Sequence, residues 1–115
     1  MGVMSIRDLA THAVRRRLAD PEVRKELEDV CAGDPALLEA AAAALSGLVS
    51  GRAAVSMARY HHTDPDVPWY VGEPHRHELV AQAEFAAAIL TTPVPGDLLA
   101  AAVDAAIKAR RLASA

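Results

Sequence analysis

The chain is poor in the residues that build cross-linked or aromatic cores. Cys31 is its single cysteine, so no internal disulfide can form, and its 115 residues include one tryptophan, two tyrosines and one phenylalanine. A lone cysteine fits a reducing compartment, where it usually serves as a small buried hydrophobe. These shortages exclude a disulfide-stapled secreted scaffold and predict a cytoplasmic protein.

Other absences limit the classes of function. The formal net charge is −3, which provides no broad positive field to attract phosphate backbones or anionic membranes, so nucleic-acid binding would need a local patch. No apolar run approaches the roughly 18 residues of a membrane span. No glycine-rich loop followed by Lys and Ser or Thr is present either. We therefore expect no membrane partner and no nucleotide hydrolysis.

Alanine dominates the residues that are present. The chain contains 26 alanines, and alanine combines the highest helix propensity with a low strand propensity. A length of 115 residues suits one domain with one core. Composition alone therefore predicts a single all-α domain over 1–115.

Local start and stop signals divide this domain into helices. Ser5 and Asp8 have the spacing of a capping box, and Asp-Pro at 20–21 and 34–35 pairs an N-cap residue with proline in the first turn. Gly33 marks a helix end. Together with apolar residues at helical intervals, these signals predict helices over about 5–19, 21–32, 34–49, 52–60, 73–91 and 97–112.

The expected architecture is a compact all-α bundle of five to six short helices with one long loop at about 61–74. Gly47 and Gly51 leave open whether 34–60 is one helix or two, because each glycine costs about 1 kcal/mol in a helix interior. The segment 73–91 is apolar on most sides, which is typical of a central helix. We therefore expect this segment to be buried by the others.

The segment 60–78 has the most unusual composition. It holds four of the five histidines and three of the four aromatic residues. Long loops in compact domains are uncommon unless they serve a function. The partner-binding residues that we expect here are Tyr60, Trp69, Tyr70 and Arg76, since aromatic residues and arginine are enriched at binding hot spots.

Metal binding is an alternative use of the same segment. His61, His62, His75 and His77, mixed with carboxylates, are the ligand types that zinc or another divalent metal needs. Their spacing matches no established motif, since neither H-E-x-x-H nor a cysteine pair is present. Such a site would make this a small metal-binding protein, and hydrolysis is the reaction that such a metal would support. Otherwise no cofactor is expected.

A second alternative is DNA binding through a helix-turn-helix-like segment at 44–60, with Arg52 and Arg59 on the second helix. Phosphate contacts normally need more positive charge than this, so nucleic acid is a disfavoured partner. No nucleophile and base can be paired from sequence, and we favour a non-enzymatic protein. The interpretation that needs fewest assumptions is a helical interaction or assembly module, self-associating or bound to another protein, with 60–78 as its recognition surface.

Overall fold

Helices make up most of the computed structural model, which describes residues 2–71 and 73–114, with the side chains of 4–68 and 75–113. Within these ranges lie five α-helices and one pair of short strands, so the prediction of a compact all-α bundle is confirmed. In chain order the elements are β1 (Gly2–Met4), α1 (Ile6–Leu18), α2 (Pro21–Val30), α3 (Pro35–Tyr60), β2 (Trp69–Val71), α4 (Glu73–Thr91) and α5 (Gly96–Ser114).

The helix starts follow the predicted capping signals. The Asp8 N–H donates to Ser5 Oγ at 3.1 Å and the Ser5 N–H donates to Asp8 Oδ2 at 3.2 Å, which completes a capping box for α1. Asp20 caps α2 and Asp34 caps α3 by accepting backbone N–H groups of the first turn. After α2 the chain reverses through Gly33, whose φ of +77° lies in the left-handed region that glycine adopts without strain.

The third helix is continuous for 26 residues and contacts all four other helices. The prediction of a separate helix over 52–60 is therefore wrong, and neither Gly47 nor Gly51 interrupts the helix. Burial explains this result, because Leu45, Val49 and Ala53 are buried along the same helix and their burial outweighs the glycine cost. The central helix is α3, whereas the sequence pattern indicated the segment 73–91.

Helix α5 runs antiparallel to α3 and is tied to it at both ends. Arg52 Nη2 on α3 lies 2.6 Å from Asp97 Oδ2 in the first turn of α5, and Arg110 Nη1 near the end of α5 lies 2.5 Å from Asp34 Oδ2 at the start of α3. Alongside these ion pairs, buried residues of both helices close the core: Ala41, Leu45, Ala54, Leu98, Ala102 and Ala106.

Helix α1 packs on both α3 and α4. Its C-terminal half is tied to α4, because Arg16 Nη1 donates to Glu84 Oε1 at 2.9 Å and Arg17 donates to Thr92 Oγ1 just beyond that helix. Its N-terminal end is preceded by β1, which pairs antiparallel with β2 from Gly2 opposite Val71 to Met4 opposite Trp69. The predicted loop at 61–74 is therefore corrected: it shortens to 61–68, followed by a strand and the first turn of α4.

Within the described ranges, α3 is long and apolar enough to cross a membrane by length and composition, and 39% of its most apolar window is buried inside the protein. Helices α4 and α5 meet the same criterion only as a pair, bent by 80° at the break between them. The core helix of a globular protein meets this criterion as well, and α3 has the central position of such a helix.

Shortening a buried side chain in the middle of α3 should destabilise the whole protein. Leu45 is fully buried, so we expect Leu45→Ala to lower the free energy of unfolding by about 2–5 kcal/mol through lost burial and a residual cavity. Leu112 near the end of α5 is 78% exposed, and Leu112→Ala should change it by less than about 0.5 kcal/mol. Urea unfolding followed by circular dichroism measures both; equal losses would contradict the central position of α3.

The ion pair between α3 and α5 should give stability an acid-sensitive component. A hydrogen bond from Arg52 lowers the pKa of Asp97 below its usual value. Stability from this pair is therefore fully present above the unfolded-state pKa of ~3.9 and is lost as the pH falls through the lowered pKa. At a pH about two units above that value, the urea midpoint of Asp97→Asn should be lower than that of wild type. In acid the two midpoints should converge.

The Arg52→Gln background supplies the control for this comparison. Without the guanidinium, Asp97→Asn should cost clearly less stability at the higher pH, because the hydrogen bond from Arg52 is already missing and only the backbone hydrogen bonds to the carboxylate remain. A difference between wild type and Asp97→Asn that does not change with pH would show that the ion pair does not stabilise the helix pair.

Candidate functional site

The loop at 61–68 is fastened to the start of α1. The backbone N–H of Arg7 donates to the Pro65 carbonyl at 3.0 Å, and Arg7 Nε lies 2.5 Å from Asp66 Oδ1. The guanidinium lowers the pKa of the Asp66 carboxyl below its usual value. The loop therefore has a fixed position next to α1, although Asp66 itself remains exposed.

Two of the four predicted metal ligands come together. His61 caps the end of α3, and its ring lies edge to face with that of His75 in α4, with 6.0 Å between centroids. His61 Nε2 is 2.8 Å from Gln82 Oε1, and His75 Nδ1 is 3.7 Å from Glu78 Oε2. These contacts join the end of α3 to the first turns of α4.

The other two histidines occupy separate positions. His62 is exposed just after α3 with a φ of +53°, and His77 is exposed on α4. Across the described parts of the chain, no group of three His, Cys, Asp or Glu side chains is arranged to hold a metal ion. The four-histidine site stays a prediction, supported by the proximity of His61 and His75 alone.

The predicted partner-binding residues fall into three situations. Tyr60 is 73% exposed at the end of α3, with its ring edge-to-face against His61 at 5.1 Å. Arg76 is half-buried and lines a groove between α1 and α4. Trp69 and Tyr70 have their backbone in β2, but their side chains lie outside the described residues.

The structure adds two residues that sequence reasoning placed in the interior. Phe85 is 69% exposed and Ile89 is 57% exposed, both on the same side of α4 because residues four apart share a helix face. The pattern predicted burial since α4 is apolar around most of its circumference, which gave no indication of its solvent side. We call Ala81, Gln82, Phe85 and Ile89 the α4 outer face.

The α4 outer face extends towards the end of α3. The hydrogen bond between Gln82 and His61 places the His61 ring at its border, and Tyr60 contacts that ring. An exposed aromatic residue of α3 thus lies at the Gln82 end of the α4 outer face, which carries two large exposed apolar residues. Apolar groups grouped in this way on a protein surface commonly mark an interaction site.

The segment 44–60 does not form a helix-turn-helix. It lies within the continuous α3 and contains no turn. Arg52 is engaged by Asp97, and Arg59 is exposed beside it with Val55 along a shallow groove. One continuous helix, on which Arg59 is exposed and Arg52 is paired with Asp97, does not have the geometry that such DNA readers use.

Comparison with known proteins gives no assignment. No protein-family model matches the chain, and no curated protein and no solved structure shows significant similarity to it.

Proposed function

We propose that this protein is a non-enzymatic assembly module in which the α4 outer face binds a second copy of the chain. The exposure of Phe85 and Ile89 supports the proposal most strongly. Fully burying a large apolar side chain contributes about 1.5–3 kcal/mol, so a contact that covers both residues and Tyr60 has a substantial driving force.

The charge of the surface favours a second copy over a different protein. Ala81, Gln82, Phe85 and Ile89 are all uncharged, and the flanking Glu84 is engaged by Arg16. Glu78 lies on the same side one turn before Gln82, beside His75, and so marks the charged end of the face. In a twofold contact each patch meets itself, so a charged patch would repel its own copy whereas a neutral apolar one is self-complementary.

The sizes of the side chains also suit a twofold contact. Ala81, Phe85 and Ile89 follow one another at intervals of four residues and form a single ridge along α4. In an antiparallel pair of α4 helices centred on Phe85, Ile89 of one copy lies opposite Ala81 of the other. A large side chain then meets a small one on each side of the axis, and the antiparallel helix dipoles attract each other.

Removal of the two large apolar residues should weaken self-association. We expect wild type to form dimers in sedimentation equilibrium, and Phe85→Ser with Ile89→Ser to raise the dimer Kd by at least about tenfold, equivalent to ~1.4 kcal/mol. Leu112→Ser is the matched control because Leu112 is equally apolar and more exposed, at 78%. It should leave the dimer Kd unchanged.

Circular dichroism must show that the double variant keeps its helical content, which we expect because both residues are exposed. A wild-type chain that stays monomeric up to about 1 mM would overturn the proposal, since that limit corresponds to only ~4 kcal/mol of binding free energy. Dimers that lose affinity only in Leu112→Ser would place the contact on α5 instead.

A further inference from the structure

A groove between α1 and α4 has the size and lining of a small-molecule site. Its volume is about 620 Å³, within the range of roughly 300–1,000 Å³ that is usual for ligand sites. Apolar residues of both helices line it, namely Leu9, Ala13, Val80 and Ala83, together with Met4 from β1. Each helix thus contributes one apolar wall.

The groove also carries an excess of positive charge in an acidic protein. Arg15, Arg16 and Arg76 line it against Asp8 and Glu84, and His12 lines it as well. Three arginines against two carboxylates leave one net positive charge, whereas the whole chain has a net charge of −3. This local excess would favour an anion.

The two carboxylates already have partners, whereas the side chains of two of the arginines have none among the described residues. Asp8 accepts the Ser5 N–H in the capping box, and Glu84 accepts from Arg16. The side chains of Arg15 and Arg76 form no hydrogen bond or ion pair with any other described part of the chain. Two guanidinium groups, one from each helix, are thus available to the same groove.

We propose that this groove binds an amphipathic monoanion, a carboxylate attached to an aliphatic body. The carboxylate accepts hydrogen bonds from Arg15 and Arg76, whose forked donors match carboxylate oxygens. The aliphatic body lies against Leu9, Val80 and Ala83. A dianionic phosphate fits less well, because the excess is a single positive charge and the nearby Asp8 and Glu84 would repel a second negative one.

This site is independent of the proposed dimer contact. At about 100° per residue, Val80 points about 140° away from Phe85 and about 180° away from Ile89 around α4. A ligand in the groove and a second copy on the α4 outer face therefore contact different sides of the helix, so either proposal can fail without the other.

Octanoate is the probe that tests the groove, by isothermal titration and by amide shifts in heteronuclear NMR. We expect saturable binding, with shifts at Leu9, Val80 and Ala83, and a Kd at least about tenfold higher in Arg76→Gln, because a hydrogen bond to a charged group is lost. Arg111→Gln is the matched control, since Arg111 is exposed on α5 and outside the groove. It should leave the Kd unchanged.

Two further probes separate the parts of the proposal. Acetate, which has the carboxylate without the aliphatic chain, should bind far more weakly than octanoate. Octylamine, which has the aliphatic chain with a positive charge, should not shift the same amides. Absence of saturable octanoate binding, an unchanged Kd in Arg76→Gln, or equal binding of octylamine would each overturn the assignment.

Discussion

Close packing of small side chains around α3 is the constraint on which the rest of the structure depends. Every helix that contacts α3 over a long stretch presents buried alanines to the core, with Ala10 and Ala13 from α1, Ala83 and Ala87 from α4, and Ala102 and Ala106 from α5. Small side chains allow short interaxial distances within the usual range of about 8–10 Å. The continuous 26-residue α3 provides the long central helix against which these small side chains pack.

The same constraint explains where the large apolar residues lie. A core filled by alanine, valine and leucine has little room for a phenylalanine, and Phe85 is on the surface of α4 with Ile89 beside it. Helix α4 therefore has two further surfaces besides the one that packs on the core: its outer face carries the apolar ridge, and its opposite side forms a groove with α1. Both proposals follow from the position of this one helix.

The sequence predicted best the features that depend on neighbouring residues. The capping box at Ser5, the Asp-Pro starts at 20–21 and 34–35 and the extent of α4 are local properties, and all were correct. It predicted poorly what depends on distant partners: the continuity of α3 through Gly47 and Gly51 rests on burial by other helices, and β2 forms only because β1 pairs with it. For the site, composition located His61 and His75, but it could not give the solvent side of an almost uniformly apolar helix.

The central claim is that the α4 outer face is the surface on which copies of this chain meet. Its most direct test compares backbone amide shifts in heteronuclear NMR spectra of the protein, without added ligand, at low and high protein concentration. The shifts that depend on concentration should cluster at Tyr60, Gln82, Phe85 and Ile89. Shifts that cluster elsewhere, or that do not change with concentration while the chain remains monomeric, would contradict it.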